Sequence, residues 1–173
     1  MNEGSIERSG ETVTLHYERH LAHPVEAVWR AITDPEEVAA WSGWEVEIDL
    51  RPGGRFVTRH QTGDRVVDRI VRVEPPHLLE HTFWEDVNPE ARVTYRLDEE
   101  HGGCRLTLTH VLTMSDLRRS AERYSWAGDP TTQIPRTGAG WHRLLDRIAA
   151  RLDGVASPAP ADGLEERYAA KLV

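Results

Sequence analysis

Polar and apolar residues alternate from 11 to 20. Val13, Leu15 and Tyr17 fall on one side of an extended chain, and Thr14, His16, Glu18 and His20 on the other, as in a half-buried strand. The period then changes. Val25, Val28, Trp29 and Ile32 recur at helical spacing, and Pro24 suits a helix start because its missing N–H has no partner there anyway. Asp34-Pro35-Glu36-Glu37 predicts a second, short helix, with Asp34 as N-cap and two acidic residues at the positive end of the dipole, ending near Trp41-Ser-Gly43. Six extended segments follow, over 44–50, 55–60, 65–73, 78–85, 92–97 and 104–112. They are separated by Gly- and Pro-rich turns too short for crossover helices, which predicts an antiparallel meander. A short helix is expected over 115–123. The stretch 126–136, with two Pro and a Gly, reads as a loop. Trp141, Leu144, Leu145, Ile148 and Leu152 stripe a long helix over 138–153 that Gly154 ends.

The expected fold is therefore α+β: a curved antiparallel sheet of about seven strands around a long C-terminal helix, with two short helices after the first strand. Residues 1–10 are expected to form a mobile arm, 11–153 the domain, and 154–173 a Pro/Ala-rich linker and tail that adds little core. Trp141 is expected to be the most buried residue of the long helix. The tail's Leu164, Tyr168 and Leu172 offer apolar contacts for a second copy of the chain, which makes a homodimer the candidate assembly.

Composition narrows the function classes. The 173 residues carry 21 Lys+Arg against 29 Asp+Glu, a formal charge of −8 that argues against nucleic acid as a partner. No apolar run is long enough to span a bilayer, and the polar, acidic start is not a secretory signal, so a cytoplasmic location is expected. Cys104 stands alone, which excludes an internal disulfide and a cysteine-based zinc site. Twenty Arg against the single Lys171 fit a GC-rich bacterial genome.

Strict alternation places Phe56, Thr58 and His60 on the inward sheet face, with Leu79, His81 and Phe83 beside them. Val93, Tyr95 and Leu97 and then Cys104, Leu106, Leu108 and His110 continue it. Three histidines thus point inward as candidate polar anchors in an apolar cavity. They are not expected to bind metal, because no inward carboxylate is apparent to support them. His16-Tyr-Glu-Arg-His20 is a solvated strand face, since the spacing and the secondary structure are wrong for a zinc helix. His110 lies six residues from Cys104 along one strand, about 20 Å away, too far to activate it as a nucleophile. Trp41 and Trp44 are candidate plugs at the cavity end. Trp84 has outward parity, and Trp126 sits in the variable loop as a candidate lid. The ligand-binding candidates are Phe56, His60, His81, Phe83, Tyr95 and His110, joined by Trp126 and Trp141. No catalytic, metal or cofactor residue is expected.

Several ordered pieces carry a family likeness. Pro24-Val-Glu-Ala-Val-Trp29, Ile32-Thr-Asp-Pro35 and Trp41 come first. Arg51-Pro-Gly-Gly-Arg-Phe56, Val73-Glu-Pro-Pro-His-Leu-Leu79, Leu106-Thr-Leu-Thr-His110 and Gly140-Trp141 follow. Across 11–153 the chain resembles the activator-of-heat-shock-protein-90-ATPase-like branch of the START-like (SRPBCC) superfamily. The resemblance implies a helix-grip fold and a small apolar ligand held between sheet and long helix. Its members also include cyclase- or hydrolase-like enzymes, whose chemistry would here rest on cavity His and Tyr, and chaperone-associated interaction proteins. His81 stands where the family usually has an apolar or aromatic residue, and Phe83 where it has Trp. The 112–137 segment and the tail lie outside the resemblance.

Overall fold

The computed structural model describes residues 3–172, so the first two residues of the expected arm and the last of the tail lie outside the described residues. Eight antiparallel strands form one open sheet in the order β1-β2-β8-β7-β6-β5-β4-β3. They are β1 (Ser5–Ser9), β2 (Thr12–Leu21), β3 (Glu45–Ile48), β4 (Arg55–Arg59), β5 (Arg65–Glu74), β6 (Leu78–Thr82), β7 (Arg92–Glu100) and β8 (Gly103–Thr113). Helices α1 (Val25–Thr33) and α2 (Pro35–Ser42) follow β2. Then come α3 (Met114–Arg123), α4 (Pro130–Asp153) and α5 (Leu164–Ala169), the last running into a 3₁₀ turn over Ala170–Leu172.

The register explains why the inward parity can be read from sequence. Ile70, His81, Val93, His110 and Leu15 lie side by side across β5, β6, β7, β8 and β2. A neighbouring row carries Val73, Leu79, Tyr95, Leu108 and Tyr17. Both rows face α4, and a slip of one residue in any strand would turn its whole apolar set to solvent. Asp34 caps α2 as expected, accepting from the Glu36 and Glu37 amides at 2.9 and 3.4 Å. Trp41 ties α2 to α1 by donating its indole N–H to the Ala31 carbonyl at 2.8 Å.

Three expectations need correcting. The loop reading of 126–136 fails because Asp129 caps a helix there, accepting from the Thr132 amide at 2.9 Å, with Pro130 in the first turn. Pro135 costs one helical hydrogen bond, offset by the burial of Ile134 and by Gln133, whose amide donates to the Leu117 and Gly128 carbonyls. The supposed arm is an eighth strand: Gly10, at φ 60°, opens a two-residue turn that pairs Ser5–Ser9 with β2. Within α4, Leu145 and Ile148 are deeper than Trp141, whose ring borders a cavity.

The tail is the largest departure. Leu164 and Tyr168 of α5 are fully enclosed by this same chain, so neither is available to a second copy. The Tyr168 hydroxyl accepts from the Gly4 amide at 3.0 Å and lies 3.0 Å from His142 Nδ1. Asp146 faces Nε2 of that imidazole at 3.4 Å, which leaves Nδ1 to accept the Tyr168 proton. Tyr17 donates to the Gly138 carbonyl at 2.7 Å, and a Cβ on Gly138 would stand 2.8 Å from the Tyr168 ring. Outside this packing, Arg167 and Lys171 clasp Glu3 at 2.9 and 3.3 Å.

Removal of residues 155–173 should therefore destabilise the domain. Tyr168→Ala alone should cost about 3–5 kcal/mol through lost transfer energy and a cavity. Tyr168→Phe, which strands the Gly4 amide and His142, should cost about 1–3 kcal/mol. Urea unfolding of the three proteins checks the order, and a truncated chain as stable as the full one would refute it. Trp141→Ala should likewise cost about 3–5 kcal/mol by the same measurement.

Candidate functional site

Between α4 and the β4–β7 part of the sheet lies a cavity of about 170 Å³. Its sheet wall is Phe56, Thr58, Asp68, His81 and Tyr95. Its helix wall is Trp141, Leu144 and Gly140 of α4, with Ile32 and Trp41 from the short helices at one end. Trp44, His60, Phe83 and Trp84 line the remaining side. Six of the eight sequence-derived candidates meet there: Phe56, His60, His81, Phe83, Tyr95 and Trp141.

His81 is the polar centre of the wall. It is 5% exposed and stacks on Phe56, with ring centres 4.9 Å apart and planes 11° from parallel. Its Nδ1 lies 2.5 Å from the Thr82 carbonyl. A carbonyl only accepts, so Nδ1 carries the proton and Nε2 is a bare acceptor. Burial holds the imidazole neutral, with a pKa lowered to about 4. Tyr95 adds a phenol whose ionisation burial pushes well above the usual range. Neither His81 Nε2 nor the Tyr95 hydroxyl has a hydrogen-bond partner among the described residues.

His110 does not reach the cavity. It is 0% exposed, and its Nδ1 accepts the Trp141 indole N–H at 2.8 Å. That bond fixes the other tautomer, with the proton on Nε2, which is buried without a partner. Burial lowers this imidazole to about 3. His110 therefore positions Trp141, which in turn walls the cavity. Trp126 is also elsewhere. It is 56% exposed and sits on a second cavity of about 190 Å³, together with Tyr124 and Val87. Phe83, Trp84 and Thr137 divide the two spaces.

Sequence parity puts Trp84 outward, and the structure reverses it. β6 ends at Thr82, and Trp84 adopts φ 50°, a rare conformation for a bulky side chain. The turn aims the indole back at the sheet face, 5.5 Å from the His60 ring and 5.7 Å from Trp126. Asp68 holds this turn, accepting from Thr82 Oγ1 at 2.9 Å and from the Glu85 amide at 3.1 Å. Burial raises its carboxyl to about 6 against those bonds. Asp68 is the inward carboxylate that the sequence reading missed. Its signal was the alternation Val66, Asp68, Ile70 along β5, all three buried. Even so, among the described residues no group of three or more His, Cys, Asp and Glu side chains is arranged to hold a metal ion.

His60 packs between Trp44, at 4.5 Å, and Trp84, and shares a hydrogen bond with Thr58 Oγ1 at 3.1 Å. Burial lowers its pKa as well. Cys104 is buried away from the cavity, and its thiol is pushed up to about 11, which keeps it protonated and unreactive at neutral pH. The site is thus an aromatic enclosure holding one bare imidazole acceptor and one phenol. Such an arrangement has the chemistry to hold a small molecule by shape and one or two hydrogen bonds. None of the described helices is long and apolar enough to cross a membrane.

Comparison with known proteins agrees with this architecture. The family model described as Activator of Hsp90 ATPase homolog 1-like protein matches residues 22–153. No curated protein matches the sequence at a significant level. Among solved structures, CalU16 from Micromonospora echinospora is similar over 99% of this chain and 97% of its own, at 25% identity and a TM-score of 0.73. EF2215 from Enterococcus faecalis, described as a conserved protein of unknown function, reaches the same TM-score at 17% identity, over 98% of this chain and 90% of its own. MLL2253 from Mesorhizobium loti covers 83% of this chain and 98% of its own, at 24% identity and a TM-score of 0.63. The matched region holds the first helix pair, the α4 grip and the whole cavity wall, and the chain belongs to the Activator of Hsp90 ATPase homolog 1-like family of START-like proteins.

Proposed function

We propose that the protein binds a compact, mostly apolar molecule in the cavity between α4 and the sheet, oriented by His81 and Tyr95. The observation that carries this reading is His81 Nε2, an acceptor of fixed tautomer left unpaired on an aromatic wall. An acceptor that faces the cavity with no protein partner among the described residues is free to take a ligand hydroxyl or amide N–H. Size points the same way. An apolar cavity of about 150 Å³ is enough for benzene, so about 170 Å³ suits a molecule built on a single ring. Trp44, Trp84 and Trp141 border the space, so occupancy can be read from intrinsic fluorescence.

Phenol is the simplest probe: one ring and one hydroxyl to donate to His81. It should give saturable quenching in wild type, and His81→Phe should weaken it by about 1–3 kcal/mol while leaving thermal unfolding close to wild type. Benzene should be indifferent to the same substitution. Equal phenol affinity in both proteins would refute the anchoring role.

The pH profile gives a second test. Protonation of Nε2 removes the acceptor, and a ligand bound to the neutral form lowers the imidazole pKa further. Phenol affinity should therefore hold from pH 8 down to about 5 and fall only as pH approaches about 4. Asp68 titrates near 6 on the same wall, so the profile is to be repeated in Asp68→Asn. A break near the ordinary histidine pKa, kept in that variant, would contradict the assignment.

A further inference from the structure

On the far side of α4 a groove of about 480 Å³ runs between that helix, β2 and the 158–161 segment. Its polar wall carries three guanidinium groups, Arg19, Arg143 and Arg147, against one carboxylate, Asp146. Asp146 is already engaged, 3.4 Å from both Arg19 and His142. Arg19 is 8% exposed, so one of these cations is held largely out of water. Arg143 reaches Glu165 only at 3.8 Å, and its Nε is buried without a hydrogen-bond partner. Arg147 makes no ion pair among the described residues. The opposite wall is apolar: Pro-Ala-Pro-Ala over 158–161, and Leu164.

This excess of positive charge is local. The chain as a whole carries −8, so its overall field repels anions, and a cationic pocket in it is no general property of the surface. Two guanidinium groups four residues apart on one helix, Arg143 part-exposed and Arg147 without an ion pair among the described residues, offer donors in the fork geometry that a planar anion takes up with parallel hydrogen bonds. The side chains of 158–161, two Pro and two Ala, bring no charge to the opposite wall.

We infer that this groove is a second binding site, for a small organic anion with an apolar body, of the class of a carboxylate on a short hydrocarbon chain. Arg143 and Arg147 hold the head, and the hydrocarbon chain lies against the Pro and Ala side chains of 158–161. The site is separate from the cavity under Trp141 and does not depend on what that cavity binds.

Octanoate, kept below its micelle concentration, tests the inference on the full chain. Three comparison probes isolate its parts: octanol has the chain without charge, acetate has the head without chain, and inorganic phosphate is an anion without an apolar body. Backbone amide shifts of 143–147, Ala159, Ala161 and Leu164 should move saturably with octanoate and far less with the other three. The affinity should drop about tenfold or more in Arg147→Gln, and should fall with added salt. Arg147 holds no other residue, so unchanged thermal unfolding of Arg147→Gln is expected to accompany that loss. Shifts confined to 81–84 and Trp141 would put octanoate in the cavity and overturn the inference. Equal affinity for octanol, equal affinity for phosphate, or an Arg147→Gln titration matching wild type would each overturn it as well.

Discussion

The grip of helix on sheet turns on one hydrogen bond in a dry place, from the Trp141 indole to His110 Nδ1. Apolar packing alone would let α4 slide or roll on the sheet, because dispersion has little directional preference. A donor and an acceptor that both lose water on burial have no substitute for each other, so this bond, with that of Tyr17 to the Gly138 carbonyl, fixes rotation and register together. It also sets the shape of the cavity. With Trp141 pinned from beneath, its ring forms a fixed wall facing His81 and Tyr95, where a freely rotating indole would fill the gap. The orphaned Nε2 of His110 is the cost of this arrangement: one nitrogen is used to hold the wall and the other is buried without a partner, in a ring whose centre lies 4.5 Å from that of Phe83.

Much of the fold was legible in the sequence because it follows from period alone. The alternation in 78–82, 92–100 and 103–113 put Leu79, His81, Val93, Tyr95, Leu106, Leu108 and His110 on one face, and the register agrees residue by residue. What remained hidden depends on facts that period does not carry. Strand β1 has one apolar residue, Ile6, and is specified by its turn and by its partner, not by its own pattern. Helix α5 shows its apolar residues only four apart, Leu164 and Tyr168, too few to read against a Pro/Ala-rich lead-in. Its burial depends on the bare Gly138 that makes room for a ring.

The candidate site divides in the same way. Parity found its sheet wall, but not whether a given inward histidine faces space or another side chain. His81 and His110 sit in one row with Val93 between them, chemically equivalent in sequence. Only the helix above them separates their roles, because Trp141 reaches one and stops short of the other. Trp84 escaped for a different reason. A single residue at positive φ reverses the parity of everything beyond it, and no residue type in Phe-Trp-Glu announces it. The turn is held from outside, by Asp68 on the adjacent strand.

The clasp between Glu3–Gly4 and Arg167–Lys171 has a consequence for how the chain reaches this state. Strand β2 pairs with β8, about ninety residues later, and Tyr168 receives a bond from Gly4 across a separation of 164 residues. The neighbouring strands of the sheet pair locally, yet the β1–β2 hairpin joins the rest of the sheet, and the core is closed, through distant partners. Loop closure of that length is entropically costly and slow, and the half-made sheet meanwhile presents the unpaired edge of β2. During synthesis the first strand pair must wait until residues 103–113 have emerged before its other edge is covered. One face of that waiting strand, with Thr14, His16, Glu18 and His20, is polar and compatible with water.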